Sequence, residues 1–131
     1  MLKSAFAFAL TLTATSGIAA DVDRGRTLFL DHCATCHGAQ AVGDGPLAQV
    51  LTIPPADLTK IAARNDGTFP VARIVRRIDG TSEVLAHGGP MPVFGLLLDG
   101  PSAAIADSDG IDVVAPETIV DIAAWLKSIQ R

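Results

Sequence analysis

The two cysteines of the chain stand in one short motif, Cys33-Ala34-Thr35-Cys36-His37. This is the C-x-x-C-H spacing at which a c-type haem is attached. The two thiols can add to the two vinyl groups of haem, and the histidine that follows can bind the iron as an axial ligand. The spacing suits this chemistry because both sulfurs and the imidazole must reach one flat macrocycle from about one helical turn. The motif therefore predicts thioether links at Cys33 and Cys36, with His37 on the iron.

Three other uses of a C-x-x-C pair fit this chain less well. A thioredoxin-like redox pair expects a strand before the motif in a βαβ unit, whereas a helical pattern precedes Cys33. A zinc site needs about four ligands, and the chain has no second C-x-x-C or histidine pair at the required spacing. A structural disulfide between the two cysteines would leave the adjacent His37 unexplained.

An electron-transfer haem needs a second axial ligand, on the other side of the iron. Met91 is the only methionine after Met1, and it stands between Pro90 and Pro92 in a loop far downstream of the motif. The prolines restrict the backbone and lower the entropy lost when the loop is fixed. A methionine ligand raises the haem reduction potential. We predict Met91 as this ligand rather than as a core filler, with His87 or an open position as alternatives.

Residues 1–20 have the pattern of a secretory signal peptide. Lys3 supplies a basic start, residues 4–20 carry no charge, and small residues precede the expected cleavage after Ala20 or one residue earlier. Cleavage would leave a mature domain over 21–131 and place it in the periplasm. An uncleaved membrane anchor is the alternative, although a spanning helix needs about 20 apolar residues.

The composition is that of one acidic domain. The chain has 131 residues, enough for one domain. Its net charge is −4 at pH 7, and loss of residues 1–20 removes one base and no acid, which makes the mature charge −5. An acidic protein of this size is a poor nucleic-acid binder. The charge instead suits a partner with a basic docking surface.

The apolar periodicity predicts a mainly helical chain. Helices are expected over 21–32, 70–78 and 116–130, where apolar residues recur at helical spacing. Residues 103–115 alternate around an Asp-Gly pair and predict a small β-hairpin.

Together these residues give the chain a resemblance to the class I cytochromes c, in particular to small secreted bacterial proteins with one haem. The matching positions are Gly25 and Phe29 in the first helix, Cys33, Cys36 and His37, the segment Gly45-Pro46-Leu47, Met91-Pro92 with Phe94, and Trp125-Leu126 in the last helix. The resemblance covers most of the mature chain. The stretch between Phe94 and Pro116 is longer than a minimal member needs, and the chain has few lysines.

The resemblance implies an all-α cytochrome c fold, with helices wrapped around one covalent haem c per chain. The last helix would cross the first near Gly25. The carbonyl of Pro46 would accept a hydrogen bond from Nδ1–H of His37, which would fix the ring and strengthen it as a ligand.

The functional hypothesis is a periplasmic electron carrier, not an enzyme, whose haem cycles between Fe(III) and Fe(II) with His37 and Met91 as ligands. A fixed electron-transfer subunit of a periplasmic or membrane oxidoreductase is one alternative. A haem enzyme or gas sensor with a labile sixth ligand is another. The expected partners are redox proteins of unidentified kind. A membrane would be reached only through a partner or an uncleaved signal segment, and a monomer is expected from the family.

Overall fold

The computed structural model describes residues 19–82 and 91–131. The signal segment, except for its last two residues, and the alternative ligand His87 lie outside this range. The elements are helix α1 (Val22–His32), helix α2 (Ala34–His37), short 3₁₀ helices at Ala48–Val50 and Leu58–Lys60, helix α3 (Val71–Asp79), strands β1 (Ser102–Ala106) and β2 (Asp112–Pro116), and helix α4 (Glu117–Ser128). None of the helices in the described part of the chain has the length and apolar character needed to cross a membrane.

Helices α1 and α4 cross in direct backbone contact. Gly25 is buried, and a Cβ atom built on it would collide with the main-chain carbonyl of Asp121. Four residues along α1, the fully buried ring of Phe29 packs on Trp125 with ring centroids 4.5 Å apart and planes tilted by 41°. Aromatic pairs of this kind stabilise the fold by more than the burial of their apolar surface alone. The expected crossing near Gly25 is therefore present, and it brings the two ends of the domain together.

A buried carboxylate joins the same two helices. Asp121 is 1% exposed, and its side chain accepts hydrogen bonds from the main-chain N–H of Asp21, at 2.7 Å, and from Nε of Arg24. The Arg24 guanidinium also pairs with Glu117 at 2.9 Å. Asp21 itself caps α1 by accepting from the N–H of Arg24 at 3.0 Å. The charge of Asp121 is thus fully paired, as a buried carboxylate requires.

The β-hairpin prediction is confirmed, and the hairpin is part of the core. The strands pair antiparallel, with Ala104 opposite Val114 and Ile105 opposite Val113. Ile105, Val113 and Ala115 pack against the hydrophobic core. In the described part of the chain, the helix-rich fold therefore contains a two-stranded sheet, formed within the stretch between Phe94 and Glu117.

The hairpin also caps helix α3. That helix begins after Pro70, which has no side-chain cap to offer, and ends at Gly80 in the left-handed conformation with φ of 89°. The carboxylate of Asp107, at the end of β1, accepts from the N–H of Val71 at 3.2 Å and from that of Ser108 at 2.9 Å. A carboxylate at a helix N-terminus satisfies a free N–H group and favours the helix dipole. The cap of α3 thus comes from a distant part of the chain.

We expect Asp107→Ala to lower the free energy of unfolding by about 1 kcal/mol at neutral pH, the usual cost of losing an N-cap side chain. The hydrogen bond from Ser108, with smaller ones from Ala72 and Val71, holds the pKa of Asp107 below its ordinary value. The stabilisation is therefore present above about pH 4 and is lost as the pH falls below it. Thermal unfolding across this pH range measures the effect.

Asp109→Ala is the matched control for this cap. Asp109 lies in the same turn, and among the described residues its carboxylate accepts only from the hydroxyl of Ser108, at 3.3 Å. An equal loss of stability in both variants, or a loss in Asp107→Ala that does not shrink in acid, would show that Asp107 is not the cap.

Candidate functional site

An apolar cleft of about 410 Å³ opens beside the C-x-x-C-H motif. Its volume lies in the range of small-molecule and cofactor sites. Cys33, Cys36, His37 and Met91 all line it. The fold thus brings the four predicted haem-binding residues to one cavity, although Met91 lies far from the others in sequence.

The motif occupies a single helical turn between α1 and the following loop. The N–H of Cys33 donates to the carbonyl of Phe29 at 2.8 Å, which ends α1, and the N–H of His37 donates to the carbonyl of Cys33 at 2.9 Å. Cys33 is buried, whereas Cys36 and His37 are half-buried. This turn is the compact arrangement that the spacing predicted.

A glycine-rich loop folds back over the backbone of the motif. The N–H groups of Gly43 and Gly45 donate to the carbonyls of His37 and Cys36 at 2.8 and 3.1 Å. A Cβ atom on Gly45 would collide with the carbonyls of Ala34 and Thr35. Gly45 is therefore needed for a close approach between two backbone segments, which holds the motif in place.

In this structure His37 contacts the carbonyl of Ala56, whereas the resemblance implied that of Pro46. Nδ1 of His37 lies 3.1 Å from the carbonyl oxygen of Ala56, and Pro46 is exposed. The residues on either side of Pro46, Gly45 and Leu47, donate their N–H groups to carbonyls of the motif. The carbonyl of Pro46 is therefore not the one that contacts the His37 ring. Pro54-Pro55 instead forces extended backbone ahead of Ala56. Those two prolines are the sequence signal that could have pointed to the correct carbonyl.

This hydrogen bond defines how His37 can act. An Nδ1–H that donates to Ala56 leaves Nε2 unprotonated and able to bind a metal. Burial lowers the pKa of His37, and the bond to the Ala56 carbonyl opposes this in part. The ring is therefore neutral at neutral pH, as a metal ligand must be.

The electrostatics of Cys33 differ from those of a redox dithiol. Burial, with a smaller contribution from Cys36, raises the pKa of Cys33 to about 12. A thioredoxin-like pair needs a lowered thiol pKa and a βαβ setting, and here a helix precedes the motif. Among the described residues, no three His, Cys, Asp or Glu side chains are grouped in a way that could hold a metal ion.

Met91 lies on the wall of the cleft, together with Pro92 and Phe94. Its side chain is half-buried and packs against the hydrophobic core. The backbone just after it is anchored, because the N–H of Phe94 donates to the carbonyl of Ile78 at 3.0 Å. Position and chemistry are thus compatible with an iron ligand.

Three arginines, Arg64, Arg73 and Arg77, also line the cleft. Their guanidinium groups suit the carboxylates of a haem, while the remaining wall is largely aliphatic and suits the macrocycle. Together with the two thiols and the neutral imidazole, this donor set fits haem c. None of these three arginines has a local sequence signal that marks it as a cleft residue.

The comparison with protein families agrees with this fit. The family model described as Cytochrome c matches residues 22–130. The chain belongs to the cytochrome c family. Its cofactor is therefore covalently attached haem c with iron, and its general role is haem-based electron transfer. Proteins of the cytochrome c family are generally electron carriers and in bacteria are typically extracellular or periplasmic. The comparisons with curated proteins and with solved structures each gave no match.

Proposed function

We propose that this cytochrome c is a periplasmic electron carrier whose haem iron is bound by His37 and Met91. One observation carries the proposal: the fold gathers Cys33, Cys36, His37 and Met91 around a single apolar cleft. The histidine and the thioether belong to separate segments and are the ligand pair of high-potential electron-transfer haems.

Each residue has a distinct task in this proposal. Cys33 and Cys36 hold the cofactor as thioethers, and haem c supplies a one-electron Fe(III)/Fe(II) couple when bound. His37 presents an unprotonated Nε2, because the ring proton lies on Nδ1, which donates to the carbonyl of Ala56. Met91 offers a soft sulfur that favours the ferrous state. The apolar walls exclude water, which limits the solvent rearrangement that accompanies electron transfer.

The proposed location and partners are supported by the residue pattern of 1–20 and by the net charge. Residues 1–20 would direct export and be removed, and residues 21–131 would act in the periplasm as a monomer. The net charge of −5 for that part favours redox partners with a basic docking surface. The donor and acceptor would both be proteins.

The visible spectrum of the exported, purified protein tests the proposal. We expect low-spin spectra in both oxidation states, with the weak far-red band of an iron–methionine bond in the oxidised form. Low-spin spectra without that band would show that Met91 is not the ligand and would favour His87. A high-spin spectrum would indicate a haem enzyme or sensor, and absence of covalent haem would refute the site altogether.

A further inference from the structure

One wall of the cleft is a single segment that also serves the axial histidine. Residues 53–64 contribute Ile53, Leu58 and Ile61 to the cavity lining, and the carbonyl of Ala56 to His37. Apart from a 3₁₀ helix over Leu58–Lys60, this segment has no regular structure of its own. Its position must therefore depend on contacts with other parts of the chain.

Two of these contacts come from Gln130, just after α4. Its Oε1 accepts from the N–H of Ala62 at 2.8 Å, and its Nε2 donates to the carbonyl of Leu58 at 2.8 Å. Nε2 also donates to the carbonyl of Leu126 within α4, at 2.7 Å. The half-buried amide thus joins the turn over residues 58–62 to the last helix.

The next residue adds a second connection to the same turn. The N–H of Arg131 donates to the carbonyl of Thr59 at 2.9 Å, and its Nε donates to the hydroxyl of Thr59 at 3.1 Å. Thr59 is 4% exposed, so these bonds are shielded from water. When a hydrogen-bonding group is buried, the loss of its partner lowers the free energy of unfolding, because water cannot replace that partner.

The residue that Gln130 binds, Leu58, is close in sequence to Ala56, whose carbonyl contacts His37. Leu58 lies two residues after Ala56, and its N–H donates to the carbonyl of Ala41 at 2.7 Å. Between them, the carbonyl of Asp57 accepts from Arg64 at 2.6 Å. A displacement of Leu58 would therefore move the Ala56 carbonyl relative to the imidazole.

We propose that Gln130 is a positioning residue for the axial histidine: its amide holds the 58–62 turn so that the Ala56 carbonyl stays on Nδ1 of His37. This inference rests on the proposed role of His37 as an iron ligand. The hydrogen bond strengthens the imidazole as a donor, and a stronger donor favours Fe(III). Loosening the turn should therefore weaken the ligand and raise the reduction potential.

Gln130→Met tests the inference, because methionine keeps the length of the unbranched side chain and removes the amide. We expect a higher reduction potential and about tenfold faster solvent exchange of the His37 Nδ1 proton, measured by NMR on the haem-loaded reduced protein, the order expected for losing one hydrogen bond. Ser128→Ala is the control, since that hydroxyl donates to the Trp125 carbonyl at 2.7 Å at the same end of α4. It should change neither quantity.

A lower unfolding temperature in Gln130→Met with unchanged potential and proton exchange would overturn the inference and leave Gln130 a purely stabilising residue. If Gln130→Met does not retain haem, Arg131→Lys keeps the positive charge beside Asp57 and removes the Nε bond to Thr59, and it should raise both quantities by smaller amounts. No change in that variant would also overturn the inference. A parent protein without the iron–methionine band contradicts the proposed function instead, and the His37 proton remains measurable there.

Discussion

Replacement of Met91 by leucine should abolish the far-red band of the oxidised protein and lower its reduction potential by on the order of 0.1 V, because axial ligands set haem potentials over a range of about 0.8 V. Leucine preserves the apolar volume that packs on the core and removes only the sulfur. The iron would then be left high-spin or would bind a harder ligand. Optical spectra and a redox titration measure both effects.

Leu96→Ala is the control for this substitution. Leu96 follows closely in the same part of the chain and is 90% exposed, so its loss should leave spectrum and potential unchanged. A Met91→Leu protein that keeps the band would show that Met91 is not the ligand. A change of spectrum in His87→Asn alone would then assign the distal position to that histidine.

Gly25→Ala should destabilise the folded protein by about 3 kcal/mol, at the upper end of the usual cost of overpacking. The new Cβ would meet the backbone of Asp121 rather than the end of a flexible side chain, so the clash cannot be relieved by a rotamer change. Helices α1 and α4 would have to separate, which would also disturb the contact between Phe29 and Trp125. The gain in helix propensity from glycine to alanine, about 1 kcal/mol, opposes this effect without cancelling it.

Denaturant unfolding measures this loss, and Thr27→Ala is its control. Thr27 lies on the exposed face of α1, and within the described part of the chain its hydroxyl donates only to the carbonyl of Asp23, at 3.1 Å. Its replacement should change the free energy of unfolding by no more than about 0.5 kcal/mol. Equal stability of the two variants would mean that the close crossing at Gly25 does not limit the packing of the helices.

The helices and the haem motif could be predicted because their signals are local. The covalent chemistry of Cys33, Cys36 and His37 depends on residue types within one turn. The helix predicted over 70–78 appears as Val71–Asp79, and the one over 116–130 appears as Glu117–Ser128, because apolar spacing and end signals lie within each segment. The crossing of the first and last helices near Gly25 was likewise implied by the resemblance to the class I cytochromes c.

What required the tertiary structure is the identity of partners that loops bring together. Both Pro46 and Ala56 lie in proline-containing segments after the motif, and only the path of the folded chain decides that Ala56, nineteen residues after His37, presents its carbonyl to the ring. The cap that Asp107 provides to α3, and the bonds of Gln130 to the 58–62 turn, have no local signature either. Hydrogen bonds of this kind depend on orientation after the chain has closed on itself, whereas helix formation and thioether chemistry depend on which residues are neighbours in sequence.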